Sequence, residues 1–285
     1  MTEVRARRTW GKGWAPAAPL LLVVAVAFGI PAVMLAVGAF TEKGAPGEPS
    51  SFGFANVTRS LREPYLGTLL SSVELSAVVA VVGALTGTFV AHAVLTSKSS
   101  ALREAVLSVS GVLANFGGVP LAFIWIATLG NSGVVTTGLG LGSGLLYNFW
   151  GLALVYLYFS IPLMVLVIAP ALEGLRPQWR EAALNNGATT WQFWRLVGIP
   201  VLAPALLGGV VLLFGGAFAA YATAAAMVGA SVPLVTLQIA DALTGNVLVG
   251  FENVALALSL DMIVIALLVM AVYLPLQRRS SRWLR

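Results

Sequence analysis

Two carboxylates, Glu74 in SSVELSA and Asp261 in ALSLDMIVI, lie inside stretches that are otherwise apolar. A charge held at the centre of a membrane helix costs about 2.5–3.5 kcal/mol on insertion scales, so each must face a partner or water. Glu74 falls about two turns from the end of its segment, whereas Asp261 is expected nearer the middle. Each reads in two ways: as a lining of a solute path that binds a cationic group, or as a hydrogen bond between helices. Tyr156, Phe218 and Tyr221 add aromatic faces that fit an amine. Other reactive types are scarce. The single His, His92, has no second His or carboxylate at ligand spacing, so no metal site is expected. Cys is absent, which excludes disulfides and thiolate chemistry. The chain carries neither G-x-x-x-x-G-K-[ST] nor G-x-S-x-G, so it is not expected to hydrolyse ATP, to act as an enzyme or to hold a cofactor.

One stretch is polar where its surroundings are not. EAALNNGATTWQFWRLVGIP, Glu181 to Pro200, separates two long apolar segments. PQWREAALNN predicts a short helix begun by Pro177 and broken at Gly187, and TTWQFWRLV predicts a second one capped by Thr189 or Thr190. Trp191, Phe193 and Trp194 are expected to anchor the pair at a membrane interface, with Pro200 marking a turn into the next segment.

The elements that position these residues follow from composition. Of 285 residues, 59% are hydrophobic and only 9% charged, against about 25% charged in soluble domains. Apolar stretches of about 20 residues can each cross a hydrocarbon core of roughly 30 Å. Six occur: 18–40, 68–96, 105–129, 147–172, 201–228 and 253–276. Segments such as PLLLVVAVAFGIPAVMLAVGAF are apolar on every side, which excludes the alternation of barrel strands. The reading is an all-α polytopic membrane protein with a single domain over 1–285. An N-terminal Arg cluster before the first span resembles a secretory signal, but the apolar run is too long and is expected to remain uncleaved. The third span is interrupted by NFGGVP, where Asn115, Gly117, Gly118 and Pro120 loosen the helix; this is either a packing kink or a broken segment along a solute path. Gly83 and Gly87 form a G-x-x-x-G to which no role is given.

Basic residues assign the sides. Of 16 Lys and Arg, only Lys43, Arg59 and Arg62 fall on one face; Arg5, Arg7, Arg8 and Lys12, Lys98 and Arg103, Arg176, Arg180 and Arg195, and Arg278, Arg279, Arg282 and Arg285 fall on the other. Both termini and the polar stretch are therefore cytoplasmic. This sidedness accounts for the net charge of +5 through lipid headgroups, and no nucleic-acid partner is implied.

The polar stretch resembles the cytoplasmic signature of the inner-membrane permeases of binding-protein-dependent ABC importers, the MetI-like family: EAA, three residues, Gly, nine residues, Ile, one residue, Leu, Pro. Glu181, Ala182, Ala183 and Gly187 match, Val197 and Ile199 are conservative replacements, and Pro200 falls on the proline. Its place between the fourth and fifth of six spans, with both ends inside, is that of the family. The resemblance implies a multi-pass protein of the bacterial inner membrane with a coupling loop over about 173–200. It also implies the partners: a cytoplasmic ABC ATPase dimer that binds ATP and Mg, a second permease subunit as hetero- or homodimer, an extracytoplasmic substrate-binding protein and membrane lipid. In this resemblance Ala182 and Ala183 allow close approach to the ATPase, Gly187 makes the bend and Glu181 gives polar contacts.

Cargo is the open point. FGGVPLAFIWIATLGNSGVV, AYATAAAMVGASVPLVTLQI and LPLQRRSSRWLR are similar to permeases for spermidine and putrescine. The expectation is a polyamine, with aminoethylphosphonate, thiamine, ferric iron or sulfate as alternatives within the family. A stand-alone ion-coupled transporter using Asp261 and Glu74 is the alternative outside it.

Overall fold

Proline placement shapes the long helices. The computed structural model describes residues 17–42, 50–140, 142, 144–245 and 253–280. The first crossing, α1 (Ala18–Ala39), contains a π-turn at Ala25–Gly29 just before Ile30 and Pro31. The same GIP tripeptide recurs at Gly198, Ile199 and Pro200, again directly after a π-turn, Trp194–Gly198. A proline has no N–H to donate and its ring crowds the preceding turn, and a widened turn relieves both. The turn expected at Pro200 is therefore not formed: the cytoplasmic segment and the fifth crossing are one helix.

After α1 an external layer forms from β1 (Thr41–Glu42) paired antiparallel with β2 (Ser51–Phe52), and α2 (Ala55–Ser60). The Thr41 carbonyl accepts from Asn56 Nδ2 at 2.9 Å and from Asn253 Nδ2 at 2.6 Å, tying this layer to the last crossing. The central helix α3 (Tyr65–Leu95) packs against α7 (Phe149–Glu173) and against α9 (Thr190–Phe218). α3 and α7 approach closely at Gly87, where a Cβ would meet Met164 Cβ at 2.6 Å and the Ile161 carbonyl at 2.9 Å. The G-x-x-x-G is thus where the two helices meet, a role that its sequence alone does not give it.

The third crossing is divided. α4 (Ser100–Leu113), capped by Ser99 Oγ accepting from Leu102 N at 3.2 Å, ends before α5 (Val119–Leu129), and between them Gly118 takes φ +77°. The first half runs along α7, with Arg103 and Glu173 paired at the cytoplasmic end, and the second touches α7 through Trp125, edge-on to Tyr158, towards the outer end. α6 (Val134–Gly138) follows, and with α5 it makes the apolar stretch Val119–Gly138. α8 (Pro177–Asn185) is the short cytoplasmic helix. Beyond α9 the chain breaks at Ala219–Tyr221 into α10 (Ala222–Met227) and α11 (Val235–Leu243), and α12 (Val254–Ser280) makes the last crossing. Six helices or helix pairs are long and apolar enough to cross a membrane. Arg5, Arg7, Arg8, Lys12, Lys43, Arg282 and Arg285 lie outside the described residues; the sidedness rests in the structure on the rest.

Candidate functional site: a cleft between two helix breaks

The two breaks face one another. Asn115, Gly117 and Gly118 of the α4–α5 break, Ala220, Tyr221 and Thr223 of the α9–α10 break, and Phe159 of α7 line a cleft of about 380 Å³. Thr223 clasps its two sides: the Gly118 amide donates to Thr223 Oγ1 at 2.9 Å, and the hydroxyl donates to the Gly118 carbonyl at 3.2 Å. The freed carbonyl of Ala220 accepts from Tyr156 Oη at 3.2 Å and from Thr236 Oγ1 at 3.3 Å. Backbone that leaves the helix at membrane depth is thus paired with protein groups, as it must be where water is scarce. None of the cleft-lining side chains is charged. Tyr221 also borders a second, outer cavity of about 350 Å³, where Gln238 and Asp241 lie. It separates the cleft from that outer space.

Of the path residues expected from sequence, the cleft takes up only Tyr221. Tyr156 is fully buried in the core beside Leu152, Val155 and Leu121, supporting Ala220 from behind. Phe218 is buried and stacks on Phe214, at 5.4 Å between ring centres. Glu74 is exposed on α3, away from the cleft. Asp261 is buried against α2 beside Ser60, and its Oδ2 has no hydrogen-bond partner among the described residues. It lies seven residues into α12, about 10 Å from the outer end at 1.5 Å per residue. Phe159, Thr223 and Asp241 are not among the path residues that sequence reasoning selects, whereas Asn115 belongs to the break for which a solute path is one of two readings. The sequence signal available for Asn115 and Thr223 is the pairing of two small-residue interruptions, NFGGVP and GGAFAAYATAAA.

At the cytoplasmic end the polar stretch forms two helices joined by a tight elbow. α8 closes in a Schellman arrangement, with Gly187 N donating to the Leu184 carbonyl at 2.9 Å and Ala188 N to the Ala183 carbonyl at 3.0 Å. Gly187 takes φ +79°, a conformation that disfavours a Cβ. α9 then starts on a capping box: Thr189 Oγ1 accepts from Gln192 N at 3.3 Å, and Gln192 Oε1 accepts from Thr189 N at 2.7 Å. Glu181 and Ala182 are exposed, Ala183 half-buried. Trp191 is exposed, but Phe193 is buried and Trp194 packs edge-on against His92 at 5.0 Å, so the expected interfacial anchor is in part a core contact.

The sequence model of the family described as "Binding-protein-dependent transport system inner membrane component" matches residues 83–282. The chain belongs to this family. The permease is a multi-pass protein of the bacterial inner membrane and a transport component rather than an enzyme. It is similar to the sulfate transport system permease protein CysT of Escherichia coli K12, 44% identical over 68 residues, 24% of each chain. It is also similar to the molybdenum transport system permease protein ModB of Escherichia coli K12, 28% identical over 158 residues, 54% of this chain and 68% of that one. The match thus spans about a quarter of the sulfate relative's length. Among solved structures it resembles a chain of a bacterial alginate ABC transporter in complex with an alginate-bound periplasmic protein, with a TM-score of 0.74, 18% identity and 93% of each chain covered. That likeness shows the MetI-like fold.

Proposed function

We propose that the permease forms the membrane path of an ATP-driven importer for a tetrahedral oxyanion of the sulfate or molybdate class. The observation that carries the reading is the cleft between the two breaks, bounded by backbone and neutral side chains with no carboxylate. A dianion is not repelled there, and no lysine or arginine in the cleft holds it too tightly to leave. The similarity to sulfate and molybdenum permeases supports the same class. The expected polyamine rests on the similarity of three stretches to spermidine and putrescine permeases, with Glu74 and Asp261 as carboxylates that fit an amine, and neither carboxylate lines the cleft. Asp241 on the outer cavity beside Tyr221 is the one observation that favours an amine. It is solvent-exposed, where a single charged contact is weak.

In the same reading the α8–α9 elbow is the seat of a separate cytoplasmic ATPase. Exposed Glu181, Ala182 and the Gly187 bend present a rigid knob, and the continuous α9 carries its displacement from Thr190 to Gly216 at the cleft. Pro200 lies in that lever. A second permease subunit and an extracytoplasmic binding protein complete the assembly. ATP-driven closure shifts the population between states open to either side.

The test is uptake into vesicles holding the permease, its ATPase and its binding protein, with ATP inside. Labelled sulfate or molybdate is expected to accumulate and putrescine is not. Putrescine uptake abolished by Asp241→Asn would reverse the assignment.

A further inference from the structure

We propose that a groove between α3 and α9 on the cytoplasmic side binds an anionic glycerophospholipid of the inner leaflet. The upper part of the groove, about 590 Å³, is walled by Val81, Leu85 and Phe89 of α3 and by Leu202, Leu206 and Val210 of α9. His92 and Trp194, in edge contact at 5.0 Å, form its floor. Those two residues and Leu172 also border a second cavity of about 720 Å³ that reaches the α8 elbow, so the two parts are continuous.

Length and charge both select the occupant. From Val81 to His92 is 11 residues, about 16 Å along the helix, close to half the roughly 30 Å hydrocarbon thickness, which is the depth of one leaflet. An acyl chain entering from the cytoplasmic surface therefore ends where the apolar walls end. The lower cavity holds Arg103, Glu173, Arg176, Arg180 and Glu181. Arg103 and Glu173 pair with each other and cancel. Arg176 and Arg180 make no ion pair among the described residues and face a single remaining carboxylate, Glu181. The headgroup end thus keeps a net positive charge at the level where a phosphodiester lies. Basic groups near the surface attract anionic lipids in this way, and Arg binds phosphate oxygens in paired hydrogen bonds. The lipid's place against Trp194 and the elbow links bilayer composition to the segment assigned above to ATPase docking.

The test uses the permease with its ATPase in nanodiscs containing a photoactivatable acyl diazirine on either phosphatidylglycerol or phosphatidylcholine. Phosphatidylglycerol is expected to label residues 81–89 and 199–210 roughly tenfold or more above phosphatidylcholine. Arg176→Gln with Arg180→Gln is expected to remove that preference. Val81→Trp, which fills the apolar part at an exposed position and leaves the arginines alone, is expected to remove labelling by both lipids. Equal labelling of the wild-type groove by the two lipids overturns the proposal without any variant. So does Leu85→Cys forming a disulfide between two permease subunits, since the groove is then a protein interface.

Discussion

Thr223 and Gly118 exchange two hydrogen bonds across the cleft, at 2.9 and 3.2 Å, although 105 residues separate them in the chain. The hydroxyl satisfies both backbone groups of a residue that has left helical geometry. Thr223→Val keeps the shape and removes both bonds, leaving the Gly118 amide and carbonyl unpaired at a cost of about 1–3 kcal/mol. The expected result is a lower thermal midpoint together with ATP hydrolysis that no longer depends on the binding protein. Thr223→Ser should restore both. Binding-protein dependence unchanged in Thr223→Val would show that the clasp is structural only.

The elbow at Gly187 gives a second prediction. With φ at +79° and open space around the missing Cβ, substitution there is limited by backbone strain rather than by contact. Gly187→Ala should cost about 1–2 kcal/mol locally, and Gly187→Pro cannot adopt the angle at all. Combined with Glu181→Ala, Gly187→Pro should abolish ATPase co-purification and vesicle uptake while membrane insertion persists, because the elbow lies outside every crossing. Normal uptake with stoichiometric ATPase in that variant would remove the docking role from α8.

The elbow is legible in the sequence because each of its signals is local: a proline at the first turn of α8, a glycine in a Schellman position and a Thr-x-x-Gln capping box. Span number is equally legible from apolar length. The cleft is not, because Thr223 finds Gly118 only once α5 and α10 have packed, and neither residue signals the other. The surroundings of Asp261 are hidden for a related reason: Ser60 and α2, against which it is buried, are about 200 residues away in the chain, and nothing beside Asp261 signals them. Gly87 can be seen but not interpreted, since a G-x-x-x-G says that helices can approach and not which helix does so.

Asp261 supplies a third prediction with a small expected effect. It packs under α2 at the outer end of the last crossing, away from the cleft. Asp261→Asn preserves shape and hydrogen bonding near Ser60, so apparent cargo affinity should stay within about twofold of wild type. A lost charged contact to cargo, about 1.5–3 kcal/mol, would instead weaken affinity about tenfold to a hundredfold. Uptake kinetics separate the two outcomes directly, and a tenfold loss would return Asp261 to the solute path.

Gly87 provides the sharpest test of the helix packing. A methyl group there meets Met164 Cβ at 2.6 Å and the Ile161 carbonyl at 2.9 Å, and a backbone oxygen cannot swing aside. Gly87→Ala should therefore push α3 from α7 and destabilise by about 1–3 kcal/mol, the usual range for overpacking. At Gly83 the nearest atom is the end of the Leu213 side chain at 3.2 Å, which can yield, so Gly83→Ala should be close to neutral. A methyl group on Gly111 in α4 would meet nothing within 4 Å, and there alanine should stabilise by about 0.5–1 kcal/mol through helix propensity alone. Thermal midpoints of the three variants in detergent should fall in the order Gly111→Ala, Gly83→Ala, Gly87→Ala, from highest to lowest. If Gly87→Ala melts with Gly111→Ala, the α3–α7 contact is looser than the close approach at Gly87 implies, and the lever from elbow to cleft loses the fixed helix against which it turns.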